Sequence, residues 1–111
     1  MKALENVAKR HNLFFVNPMD PQWVSKNHIY GLGMIHFDER GLYDPKKYME
    51  DNLGMLKDNE CCIAVFHPGY LDQYILTHSS YTLIRPMECD FLCSDWLKNW
   101  IKENNIQLVA L

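Results

Sequence analysis

Leu4, Val7, Ala8 and His11 stand three and four positions apart, the spacing that gathers side chains on one face of a helix. A helix over Lys2 to His11 is therefore expected, running into Leu13-Phe14-Phe15-Val16. That apolar run is rich in β-formers and closed by Asn17-Pro18, so it reads as a strand. From 18 to 43 the periodicity disappears. Gly31, Gly33, Gly41, two prolines and isolated aromatics predict loops, with a short helix near Pro21 to Lys26.

Order returns at Asp44-Pro45, an N-cap followed by proline at the first helical position. Met49, Leu53 and Leu56 continue one apolar stripe toward a core, and Lys57-Asp58-Asn59 ends it. Cys61 to Phe66 is a continuous apolar run, the pattern of a strand covered on both faces. His67-Pro68-Gly69 stops that strand, and the bias of pre-proline residues toward extended geometry sets His67 at its tip. Leu71 to Ile84 reads as a short helix and a loop. Ser94 is an N-cap with Asp95 in the first turn, Leu97, Trp100 and Ile101 form the buried stripe, and Asn104-Asn105 ends the helix. Ile106 to Leu111 reads as a closing strand. Helices alternating with short apolar strands predict an α/β fold with mainly parallel strands.

A length of 111 residues, 48% of them hydrophobic and 23% charged, fits one compact domain over 1–111. A net charge of −3 gives no electrostatic reason to expect nucleic acid or an anionic membrane as partner. The longest uncharged apolar run, Cys61 to Phe66, is too short to span a bilayer. Charges interrupt Met1-Lys2-Ala3-Leu4-Glu5 at once, so no signal peptide is expected and the default address is cytoplasmic. In that compartment Cys61, Cys62, Cys89 and Cys93 are expected to be thiols. Adjacent Cys61 and Cys62 point to opposite faces of a strand, and no CxxC pair accompanies Cys89 and Cys93, so no structural zinc site is expected.

In α/β sheets ligands gather beyond the carboxyl ends of the strands, which is where His67 falls. A histidine there can exchange a proton near neutral pH, or it can cap the strand by a hydrogen bond; position alone leaves both readings open. Gly31-Leu32-Gly33 lacks the third glycine of a phosphate loop and reads as a turn of small residues. Arg85 and Glu88, three positions apart, suit an ion pair bracing the approach to the last helix. Trp96 and Trp100 read as packing residues, with Trp23 in a loop-like setting.

His67-Pro68-Gly69-Tyr70, followed by Asp72, Ser80-Tyr81, Arg85, Glu88, Leu92, Ser94 and the ending Asn104-Asn105-Ile106-Gln107-Leu108, resembles the C-terminal region of YdjC-like carbohydrate deacetylases. That family includes chitin-disaccharide (chitooligosaccharide) deacetylases. The resemblance is specific from about residue 60 to 111 and looser before it. It implies a partial TIM-barrel-like α/β fold and metal-dependent hydrolysis of N-acetyl groups on small amino-sugar oligosaccharides. His67 then matches a late histidine facing the substrate as general acid, and Tyr70, Asp72, Tyr81 and Arg85 border the sugar.

The complete family enzyme binds a divalent metal, Mg²⁺ or Zn²⁺, through an aspartate and two histidines upstream of the part represented here. His11, His28, His36 and His78 do not fall in that pattern, so no metal ligand and no cofactor are expected for this chain alone. Where the family often carries an acidic residue four positions before the histidine, this chain has Ile63. The resemblance therefore predicts a chain that is inactive by itself, completed by a missing N-terminal half or by assembly as a homo-oligomer. A non-catalytic interaction module retaining part of the fold is the alternative.

Overall fold

The computed structural model describes residues 2–110. The first helix, α1 (Lys2–Arg10), forms as expected, with a Glu5–Lys9 ion pair along its exposed side. Only Ala8 of its apolar stripe is buried; Leu4 and Val7 face solvent. Asn12, at φ 53°, turns the chain off the helix, and the Leu13 amide donates to the Ala8 carbonyl.

The strand expected over Leu13–Val16 is not formed. A strand needs a ladder, and no neighbouring strand reaches this segment among the described residues. Instead the Phe15 carbonyl accepts the Trp23 indole N–H at 2.8 Å, while Phe14 packs on the Trp23 ring. Trp23 lies in the second helix rather than a loop. This helix, α2 (Pro21–Asn27), is capped by Asp20, whose carboxylate accepts from the Gln22 amide, and His28 ends it in the left-handed region.

Directly after His28 comes β1 (Ile29–Gly31), a strand inside a stretch expected to be loop. It pairs in parallel with β2 (Cys61–Ile63), Ile29 opposite Cys61 and Gly31 opposite Ile63. Parallel neighbours require a crossover. Here it contains α3 (Pro45–Asp51) and α4 (Leu53–Asp58), the predicted single helix broken at Asn52. Asn52 bridges the crossover: its side-chain amide donates to the Tyr48 carbonyl and its oxygen accepts the Gly33 amide, each within 2.8 Å. Gly31-Leu32-Gly33 is thus a strand end tied to a helix, further secured by the Tyr48 hydroxyl on the Gly33 carbonyl.

The apolar run Cys61–Phe66 keeps strand pairing only to Ile63, because β1 offers no ladder partner beyond Gly31 apart from the Leu32 amide. Its three ladder residues are half-buried, not covered on both faces. Three further helices follow: α5 (Gln73–His78), α6 (Ile84–Leu92) and α7 (Asp95–Glu103). Ser94 caps α7 by accepting the Leu97 amide, and Asn104 with left-handed Asn105 ends it. The core is Met49, Phe91, Leu97 and Trp100, joined by Leu56, Phe66 and Ile101 among others. It lies between the crossover helices and α6–α7.

The closing strand expected from Ile106 is also absent over 106–110, and Leu111 lies outside the described residues. Leu108 and Val109 are exposed and make no ladder with any described residue. A mixed α/β fold with a two-stranded parallel sheet is what the residues build.

Candidate functional site

His67 sits in the irregular segment that follows β2, four residues past its last ladder position. Two bonds donated by main-chain amides fasten that segment to α6. The His67 amide donates to Glu88 Oε2, and the Gly69 amide donates to the Arg85 carbonyl at 3.2 Å. Pro86 in the first turn of α6 suits a helix start, since amides there have no intrahelical acceptor.

Glu88 is completely buried. A buried carboxylate is costly unless donors surround it. Glu88 has two: the His67 amide and the Tyr43 hydroxyl, whose oxygen lies 2.7 Å from Oε1. Burial, and then the neighbouring carboxylate, push the Tyr43 phenol well above its ordinary range. The expected Arg85–Glu88 ion pair does not form. Arg85 turns the other way, its Nε donating to the Tyr81 carbonyl at 2.7 Å and an Nη to Ser79 Oγ at 3.2 Å. On a helix both residues cannot swing toward each other when each has a closer partner on a different loop.

The His67 imidazole packs against the Tyr81 ring, centroids 4.9 Å apart. Its ring nitrogens have no hydrogen-bond partner among the described residues, so it meets Tyr81 as one ring against another. Tyr81 packs in turn on Phe37 at 5.8 Å, and Phe37 meets the edge of Tyr43 at 5.7 Å. Tyr43 bonds to Glu88, and Glu88 holds His67. Four segments distant in sequence thereby close a circuit of contacts.

The 37–43 segment earns its place in that circuit through Asp38. Its carboxylate accepts the Arg40 and Leu42 amides and the Arg40 guanidinium, while its own amide donates to the Leu42 carbonyl. Those bonds, the guanidinium's foremost, hold the Asp38 carboxyl below the usual carboxylate range. Gly41, at φ 72°, supplies the left-handed step that the turn needs. Beside this turn lies a cleft of about 770 Å³ whose lining includes His36, Phe37, Tyr43, Lys47 and Met87.

Of the residues selected from the sequence, Tyr81 touches His67, and Arg85 braces both the Tyr81 and Gly69 backbones. Asp72 is the N-cap of α5, its carboxylate accepting the Ile75 amide at 2.8 Å. Tyr70 is 85% exposed. Among the described residues neither has a side-chain hydrogen bond or ring pairing with the circuit. Phe37 and Tyr43 join it without having been selected, and Glu88 joins it in a different role from the one expected. No group of three His, Cys, Asp or Glu side chains among the described residues is arranged to hold a metal ion. The described residues therefore bring together no donor set for the metal that the resemblance implies. The four cysteines are thiols; burial and the adjacent Cys61 raise the pKa of Cys62.

No family model matches the chain. Over 70 residues it is 33% identical to carbohydrate deacetylase 2 of Listeria innocua serovar 6a. The chain is related to a carbohydrate deacetylase. The match takes in 63% of this chain and 28% of that relative, so the chain spans little more than a quarter of the relative's length. No solved structure matches. Among the described residues no helix is long and apolar enough to cross a membrane.

Proposed function

We propose that this chain supplies the His67 side of a site that removes N-acetyl groups from small amino-sugar oligosaccharides. One observation carries the reading: the buried Glu88 carboxylate grips the His67 backbone amide, holding the main chain that carries an imidazole packed on Tyr81 with no hydrogen-bond partner among the described residues. The relative's name supplies the reaction class. In such a hydrolysis water adds to the acetyl carbon, the C–N bond breaks, and acetate and an amine leave. The amine must gain a proton, and a protonated His67 is suited to give it. Activation of the water falls to groups that this chain does not bring together, in a more complete α/β barrel-like fold. By itself the chain is then inactive.

The test has two arms. Incubating the chain with N,N′-diacetylchitobiose and Mg²⁺ or Zn²⁺ should release no acetate. A chimera in which this chain's matching stretch replaces that of the Listeria carbohydrate deacetylase should release it, and His67→Ala should lower kcat there by about 100-fold or more, the scale of general acid catalysis. Undiminished turnover in the His67→Ala chimera would remove the proposed role. A second reading, a non-catalytic interaction module, rests on the extent of exposed apolar surface, which includes Leu13, Phe14, Leu108 and Val109.

A further inference from the structure

The circuit around His67 has a wall that the reaction does not account for. Phe37 and Tyr81 are each about two-fifths exposed, 41% and 39%, although both pack on other rings. Their planes meet at 36°, forming a shallow aromatic trough rather than an interleaved core contact. Phe37 also lines the cleft of about 770 Å³, so it stands between that cleft and the Tyr81–His67 pair. The cleft adds polar edges, among them Asp38, Lys47 and Asn52, to this apolar wall.

That combination matches the chemistry of a pyranose. A sugar ring presents C–H groups on its faces and hydroxyls around its rim, so it loses apolar area to water only against a flat apolar surface with polar groups at the edge. Rings serve this purpose well because they offer large area with few rotatable bonds to freeze. Here the wall is set beforehand. The Asp38 turn fixes the backbone next to Phe37, the Tyr43 edge supports its ring, and the Arg85 guanidinium pins the backbone of Tyr81.

We propose that Phe37 and Tyr81 form a sugar-stacking subsite, holding one pyranose of an oligosaccharide across the two rings, between the cleft and His67. The inference rests on the carbohydrate reading and adds the residues that bind the sugar. Its new element is Phe37, in a loop that carries no motif.

The 111-residue chain, labelled with ¹⁵N, is titrated with N,N′-diacetylchitobiose and separately with cellobiose, which lacks the N-acetyl groups. Expected are shifts centred on residues 36–38 and 81, an affinity about tenfold lower in Phe37→Ala, and recovery in Phe37→Tyr, which restores a ring. Tenfold corresponds to about 1.4 kcal/mol. An unchanged spectrum far from the loop certifies that Phe37→Ala is folded; should it not be, Phe37→Leu, apolar but not flat, replaces it with the same expectation. Equal binding by wild type and the folded variant overturns the subsite, as does the absence of shifts with both sugars at millimolar concentration. Equal affinity for the two sugars, lost together in the variant, upholds the stacking wall while removing support for an N-acetyl substrate. The subsite and the deacetylase reading therefore fail in different ways.

Discussion

Glu88 has the most consequential side chain in the molecule, because it is fully buried and its two donors come from segments 45 and 21 residues away. Truncation to alanine strands a half-buried hydroxyl and a main-chain amide, at a cost of about 3 kcal/mol. That is a large share of the total for a domain of this size. Glu88→Gln keeps one carbonyl acceptor and is expected to cost about half as much, which urea denaturation resolves. An alanine variant as stable as wild type would mean that the carboxylate does not hold the His67 loop. The same contact sets an alkaline limit. Burial and Glu88 raise the Tyr43 pKa above its ordinary value of 10.0, so the folded state keeps a proton that the unfolded chain releases. Stability from this group is complete below pH 10 and declines as pH rises beyond it. Thermal midpoints measured between pH 8 and about 11 should fall further for wild type than for Tyr43→Phe, which has no proton to lose. Parallel curves for the two proteins would show that Tyr43 is not shielded as described.

Elements whose start is written in local chemistry were legible in the sequence, and those that depend on a distant partner were not. Asp44-Pro45 and Ser94-Asp95 announce helices because a side-chain oxygen accepts amides two or three residues on. Leu13–Val16 and Ile106–Ala110 have strand composition but no ladder, and composition cannot supply one. Conversely Ile29-Tyr30-Gly31 is too short, and ends in too flexible a residue, to look like a strand until Cys61–Ile63 lies beside it. The candidate site divides in the same way. His67 was visible from its place after an apolar run and from the motif around it. Phe37, Tyr43 and the true partners of Glu88 were not, because their contacts are set by where the 37–43 turn lands and not by spacing along the chain. The local class can be tested directly. Ser94 Oγ accepts the Leu97 amide and sits 2.6 Å from the Phe91 carbonyl, to which it donates, so one hydroxyl joins the end of α6 to the start of α7. Ser94→Ala should cost about 1 kcal/mol, and Ser94→Asp, which still caps but cannot donate, should recover part of it. Equal stability of all three proteins would show that the junction is held by Phe91 and Leu97 packing alone.

At the scale of the whole molecule the chain is open for its length. Its radius of gyration is 16.0 Å, against about 13 Å for a compact domain of 111 residues. Its accessible surface is 8517 Å², where a folded monomer of this mass exposes roughly 6,400 Å². The difference, roughly 2,100 Å² on one chain, exceeds the roughly 800 Å² that each partner contributes to a standard protein–protein interface. Part of it lines an apolar cleft of about 1150 Å³ walled by Leu56, Ile63, Trp100, Ile101 and Ile106, beside a two-stranded sheet with unpaired edges. Sheet edges and apolar faces left uncovered recruit other chains. For the purified chain the available partner is a second copy, and we expect sedimentation at micromolar concentration to give a mass above 13.1 kDa. A charge placed on the cleft wall, Ile106→Lys, should shift that equilibrium toward monomer while leaving the His67 circuit, which uses none of these residues, intact by the Tyr81 and Phe37 resonances. A monomer with a radius near that of a compact domain would instead mean that the exposed apolar surface folds back upon itself in solution. The two outcomes bear on function as well. Self-association through the cleft uses residues other than Phe37 and Tyr81, so sugar binding at the trough should persist in the oligomer, whereas a collapse that rearranges the sheet would displace β2 and, through it, the segment that positions His67.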